Sequence, residues 1–137
     1  MVKISNFMLG AGLVVADTPG LPQTPMLKEP KVVLRPKYIP TEYTFGAAVG
    51  IVGVDGTKEI TITFKIDDPN GNELVSLGPN VIPPNPAMVE QAPPEFRSGT
   101  FSMQFDNVNF STMGIYKFRV MLNDEELEPQ DIPVYPE

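Results

Sequence analysis

The sequence predicts an all-β chain: a single antiparallel β-sandwich, immunoglobulin-like in its connections, with about seven or eight strands. Three observations carry this. Apolar and polar residues alternate with period two in several segments, and hardly anywhere at helical spacing. Turn-forming residues separate those segments at short intervals. Sixteen prolines and 11 glycines also disfavour long helices. The length of 137 residues suits one domain, 1–137. A domain of this size buries roughly two-thirds of its unfolded surface and needs no covalent staple.

The elements follow in chain order. Lys3 to Leu9 reads as a first strand. The uncharged stretch from Ile4 to Ala16 also resembles a signal peptide, with Val14-Val15-Ala16 as its cleavage site. Ser5 and Asn6 interrupt the apolar run, and Gly10 and Gly12 fall in its middle. The stretch is shorter than the roughly 20 apolar residues that span a bilayer. The expectation is a soluble cytoplasmic chain with no membrane partner, the alternative being secretion after cleavage of residues 1–16. Asp17 to Pro30 holds four prolines and reads as an irregular loop, 17–30. Lys31 to Arg35 is a short strand stopped by Pro36. Tyr43 to Val54 is a long strand with candidate bulges at Gly46, Gly50 or Gly53.

The clearest strand is ITITFKI, Ile60 to Ile66. Ile60, Ile62, Phe64 and Ile66 face one way, and Thr61, Thr63 and Lys65 the other. Asn72 to Leu77 returns beside it. A second long loop, 78–96, contains six prolines, with Met88 to Ala92 as a candidate helical turn. Phe101 to Phe105 alternates again. So does Tyr116 to Leu122, with Lys117 and Arg119 outward. Leu127 to Tyr135 closes the domain, and Pro133 confines it to an edge or to a position needing no N–H donor.

Composition excludes much chemistry. With no cysteine and no histidine, disulfides, thiolate or imidazole metal sites and Ser-His-Asp or Cys-His catalysis are ruled out. The formal charge of -7 argues against a nucleic-acid partner. No phosphate loop is present: Gly46 to Gly50 lacks the lysine and hydroxyl of a P-loop. Gly10-Ala11-Gly12 is only a fragment of a dinucleotide fingerprint.

The richest cluster is IDDPNGNEL, Ile66 to Leu74. As a helix-loop-helix calcium loop, Gly71 at position 6 places Asp68 and Asn70 correctly. It also puts Ile66 at position 1 and Leu77 at position 12, where ligands are needed. As a turn, every central residue fits: Asp68 caps, Pro69 presets φ, Asn70 tolerates the third position and Gly71 takes the left-handed one. Asp67 and Asp68 point to opposite faces and do not form an acid–base pair. Asn123 to Glu126 is the turn of the last hairpin. From Val120 onward six acidic residues and no basic one occur. This is a solvated end or, on a sharper reading, an acidic edge for a basic partner.

Phe110 to Phe118, FSTMGIYKF, resembles the start of strand F in immunoglobulin-like sandwiches. Gly114 and Tyr116 match the corner motif there, in which the tyrosine hydroxyl ties down the loop. The usual aspartate is replaced by Thr112, and the disulfide and core tryptophan of antibody domains are absent. The chain as a whole resembles a group of small uncharacterised bacterial and prophage-encoded proteins. The residues concerned are Ile4 to Met8, Val33 to Pro40, the Asp68-Pro69-Asn70-Gly71 hairpin and the Gly-x-Tyr strand before Asn123 to Leu127. The resemblance implies a β-sandwich from a Gram-positive bacterium or its mobile elements. It carries over no activity and no site residues.

The functional expectation is a non-catalytic protein-interaction or accessory module with no catalytic, cofactor or metal residues. Its contacts are expected on the stiff polyproline stretch Pro83, Pro84 and Pro86, or along an exposed edge strand by β-addition. The alternative is a carbohydrate-binding or surface-exposed sandwich, with Tyr38 and Tyr43 facing outward to stack on sugar rings. Two carboxylates about 5 to 9 Å apart in a cleft would extend that alternative to glycan chemistry.

Overall fold

The structure is a computed structural model that describes residues 2–15, 25–84, 93 and 96–137. Nine strands occur in the described residues: β1 Lys3–Val15, β2 Pro25–Lys31, β3 Thr41–Val52, β4 Ile60–Asp67, β5 Glu73–Ile82, β6 Ser98–Phe110, β7 Gly114–Leu122, β8 Glu125–Glu126 and β9 Gln130–Val134. They form two sheets. One has the order β2-β1-β3-β6; in the other, β5, β4 and β7 lie in a row, and β8 and β9 both pair with β7. All these strand pairs are antiparallel. The chain crosses between sheets from β3 to β4, β5 to β6 and β6 to β7, giving an immunoglobulin-like sandwich.

Alternation builds the core. β4 is buried at every second residue, so Ile60, Ile62, Phe64 and Ile66 face inward. Tyr116, Phe118, Val120 and Leu122 of β7 do the same. The facing sheet contributes Phe45, Ala47, Val49 and Ile51 from β3, and Met103, Phe105, Val108 and Phe110 from β6. The rings interlock across the gap. Phe118 stacks on Phe7 at 4.7 Å and on Phe64 at 5.8 Å, and meets the edge of Phe105 at 6.3 Å.

Several boundaries differ from the sequence reading. The first strand continues past Leu9 to Val15. The expected loop 17–30 gives way at Pro25 to a strand, Pro25–Lys31, paired with β1. β2 lies on the sheet edge, where the missing N–H of a proline leaves no neighbour unsatisfied. The expected Lys31 to Arg35 strand reduces to one parallel bridge, Leu34 to Val134. Strand β5 continues through Gly78 to Ile82, so the second loop starts later than 78. The expected Phe101 to Phe105 strand is the middle of a 13-residue one. The closing strand expected over Leu127 to Tyr135 is the shorter β9, and the two-residue β8 falls before it, within the expected turn Asn123 to Glu126. The proposed turn at Met88 to Ala92 lies outside the described residues.

None of the three candidate glycines is an inserted residue. The extra residue is Ser5 of β1, between the pairs Ile4–Ile51 and Asn6–Gly50. A second irregularity lies in β6 around Asn107, which has φ 54° and donates its N–H to Thr44 Oγ1 at 3.0 Å. Gly46 has another reason to be glycine: a Cβ there would sit 2.9 Å from the carbonyl of Gly12 in β1. Pro133 occupies a position where no donor is needed. Its carbonyl accepts from Leu34 N at 2.9 Å, so its own nitrogen faces the same side, away from the β7 ladder.

Candidate functional site

The Asp68 cluster forms a closed turn. Gly71 N donates to the Asp68 carbonyl at 3.0 Å, and Asp68 N donates to Asn72 O at 2.8 Å. Gly71 has φ +88°, the left-handed value the turn requires. Both carboxylate oxygens are engaged: Oδ1 accepts from Asn70 N and Asn72 N at 2.9 and 2.8 Å, and Oδ2 from Asn72 Nδ2 at 3.1 Å. The donated bonds from Asn72, above all its backbone N–H, hold the Asp68 carboxyl below its ordinary pKa. The turn also packs on the Tyr116 corner, since a Cβ on Gly114 would lie 3.0 Å from Pro69. There Tyr116, fully buried, donates its hydroxyl to Thr112 O at 2.7 Å, the contact expected of a tyrosine corner.

Asp67 lies on the opposite face, in an ion-pair network over the outer surface of β4, β5, β7 and β8. Arg119 is its centre. Its Nε lies 2.7 Å from Asp67 Oδ2 but outside hydrogen-bond geometry, while Nη2 donates to Asp67 Oδ1 at 3.1 Å. Nη1 donates to Glu126 at 2.9 Å. Glu73 lies 3.6 Å from Nη2 and 3.0 Å from Lys65 Nζ. Glu126 first, then Asp67, hold the guanidinium above its ordinary pKa. Beside this network Lys117 pairs with Asp131. Two carboxylates of the acidic C-terminal stretch, Glu126 and Asp131, therefore face lysine or arginine of their own sheet.

An open cleft of about 880 Å³ lies between β1 and the β8–β9 region. Phe7 of β1 forms one wall, Met8, Lys31 and Val32 the rim, and Gln130 and Asp131 the other wall. Its floor is tied to the core through the stacked pair Phe7–Phe118. Two rim side chains are large, apolar and open to solvent: Met8 is 51% and Val32 85% exposed. Lys31, Lys117, Glu128 and Asp131 add both signs of charge. The wall residues are separated by more than a hundred positions in the chain, and no local motif announces the cleft.

The residues singled out from sequence do not converge on it. Pro83 and Pro84 are exposed just beyond β5, and Pro86 lies outside the described residues. Tyr38 is 67% exposed. Tyr43 does not face outward. It falls on the inward parity of β3 with Phe45, and its ring lies 5.8 Å from that of Phe110. Burial, helped by the charge of Glu137, raises its hydroxyl pKa.

Residues 33–135 match the model of DUF6941, a family of unknown function. No curated protein matches the chain. Solved structures do. The Pseudomonas fluorescens alkylpurine DNA glycosylase AlkC, bound to DNA containing an abasic site analogue, is 11% identical with a TM-score of 0.51; the match covers 97% of this chain and 30% of the glycosylase chain. An immunoglobulin-like protein from Pseudomonas aeruginosa is 15% identical with a TM-score of 0.40, over 98% of this chain and 97% of that one. At such identities the glycosylase likeness concerns the fold alone.

Proposed function

The chain belongs to DUF6941, a family of unknown function, and we propose that it is a non-catalytic protein-interaction or accessory module, of bacterial or prophage origin, acting in the cytoplasm. The observation that carries this reading is the cleft between β1 and the β8–β9 region. Exposed Met8 and Val32 stand there beside lysines and carboxylates. An apolar patch rimmed by charges suits a polypeptide segment, whose side chains fill the apolar part while its polar groups meet the rim. Exposed Pro83 and Pro84 supply a second, stiff contact element.

The test is affinity capture from a lysate of the encoding organism, with the tagged chain as bait. A specific protein should be retained, and Met8→Asp combined with Val32→Asp should release it without lowering the melting temperature. A bait that retains nothing, or a capture indifferent to both substitutions, overturns the reading.

A further inference from the structure

We propose that the outer edge of β6 is a self-association surface, on which two copies of this chain pair β6 to β6 in antiparallel fashion. The inference rests on the reading of the chain as an interaction module and names a second copy as a partner.

The sandwich has four edge regions, and three of them carry features that oppose strand addition. β2 has Pro25 and Pro30, with Lys28, Glu29 and Lys31 between and beside them. β5 has Pro79, with Glu73 at its start. β9 has Pro133, and its free side is already bridged by Leu34. β6 is different. Among the described residues its outer side pairs with no strand. Ser98–Phe110 contains no proline, and its first charged residue is Asp106. Among the described residues, the stretch Ser98 to Phe105 therefore presents its outward N–H and C=O groups without a charge or a break.

Charge narrows where a second copy can dock. The chain carries -7, so two copies repel each other over most of their surfaces. Like charges set directly opposite in a ladder add to that penalty. An uncharged edge is where a second copy meets least resistance.

The side-chain order is also self-complementary about a two-fold axis at Ser102. Ser102 then faces its own copy, Thr100 faces Gln104, and Phe101 faces Met103. Gly99 faces Phe105, whose ring stays in the core against Phe45 and Phe118. Phe101, Met103 and Phe105 lie on the core side: Phe101 is 5.9 Å from the Phe64 ring, and Met103 and Phe105 are 8% and 1% exposed. Apolar positions thus lie opposite apolar ones on the core side, and uncharged polar ones opposite each other outside, where the Gln104 amide is held over its own sheet by Leu13 N at 3.1 Å and Asp106 at 2.9 Å. The irregularity at Asn107 bends the strand just beyond this stretch and bounds the paired segment. The product joins two four-stranded sheets into one continuous sheet.

Sedimentation velocity over a concentration series tests this on the intact chain. The wild type should form a dimer, and Ser102→Asp should be monomeric, because two carboxylates then meet on the axis of an acidic pair. Ser102→Cys is the second probe. The chain has no cysteine, so its single thiol can cross-link only to another copy. Under mild oxidation it should form a covalent dimer faster than Thr63→Cys on the outward face of β4. A wild type that is monomeric throughout, a Ser102→Asp variant that still dimerises, or a Ser102→Cys variant no faster than the control overturns the inference. Lysate capture that succeeds beside a monomeric wild type leaves the functional reading standing. A dimer that captures nothing sinks that reading and not the dimer.

Discussion

Both oxygens of Asp68 serve its own turn, which makes this one carboxylate a reporter of the hairpin. Its pKa is lowered by the donated N–H groups. A carboxyl whose folded pKa lies below its unfolded one contributes stability above the unfolded value and loses it as pH falls through the folded one. Asp68→Asn cannot titrate. The melting-temperature gap between wild type and Asp68→Asn should therefore be constant near neutrality and shrink under acid below the ordinary aspartate range. A gap independent of pH would show that the charge of Asp68 contributes nothing. Gly71 is the backbone counterpart. A Cβ there would meet nothing within 4 Å, so Gly71→Val tests φ alone. It should cost about 1–2 kcal/mol in chemical denaturation, the usual penalty for a non-glycine residue in the left-handed region. Both residues were legible in DPNG because a turn is set by four neighbours. The packing of Pro69 on Gly114 was not, since it joins positions far apart in the chain.

Strands were legible in proportion to how one-sided their burial is. β4 and β7, each with one dry and one wet face, could be read residue by residue. β2 was hidden because Pro25 and Pro30 argue against a strand wherever an N–H is needed, and only its edge position removes that need. The inward side of Tyr43 is legible in its alternation with polar Glu42 and Thr44, a parity it shares with Phe45, so the outward stacking role conflicts with the local pattern itself. The ion-pair network was invisible because Lys65 and Arg119 become neighbours only through the β4–β7 register. The side chains of Arg119 and Asp67 are 23% and 13% exposed, between the surface and buried cases. Surface pairs contribute under about 1 kcal/mol, and breaking buried ones costs about 3–5. Arg119→Met should accordingly destabilise by about 2 kcal/mol in urea titration, keeping the aliphatic packing while stranding Asp67. A loss below about 0.5 kcal/mol, the range of ordinary surface substitutions, would reduce the network to solvated decoration.

At the scale of the molecule, the cleft and the sheet-to-sheet contact arise from the same closure of β1 over β9, which no local pattern encodes. The first strand brings Phe7 onto Phe118, and the rim residues Met8 and Val32 are left outside that stack. Phe118 is the junction. It touches Phe7 and Phe105 of one sheet and Phe64 of the other, and it is fully buried. Phe118→Ala should cost about 3–5 kcal/mol, because the vacated volume is walled by rings held on two sheets that cannot both move in. That is a large part of the roughly 5–15 kcal/mol holding a domain together. If the sandwich is one cooperative unit, the denaturation midpoint should fall while the slope stays that of wild type. Hydrogen exchange in β3 and β4 should then accelerate together, although the two strands belong to different sheets. Phe96→Ala is the control, since Phe96 is 68% exposed and its loss should stay within about 0.5 kcal/mol. Exchange that accelerates in the β4 sheet alone would mean that the Phe118 stack decorates two independently stable sheets rather than joining them.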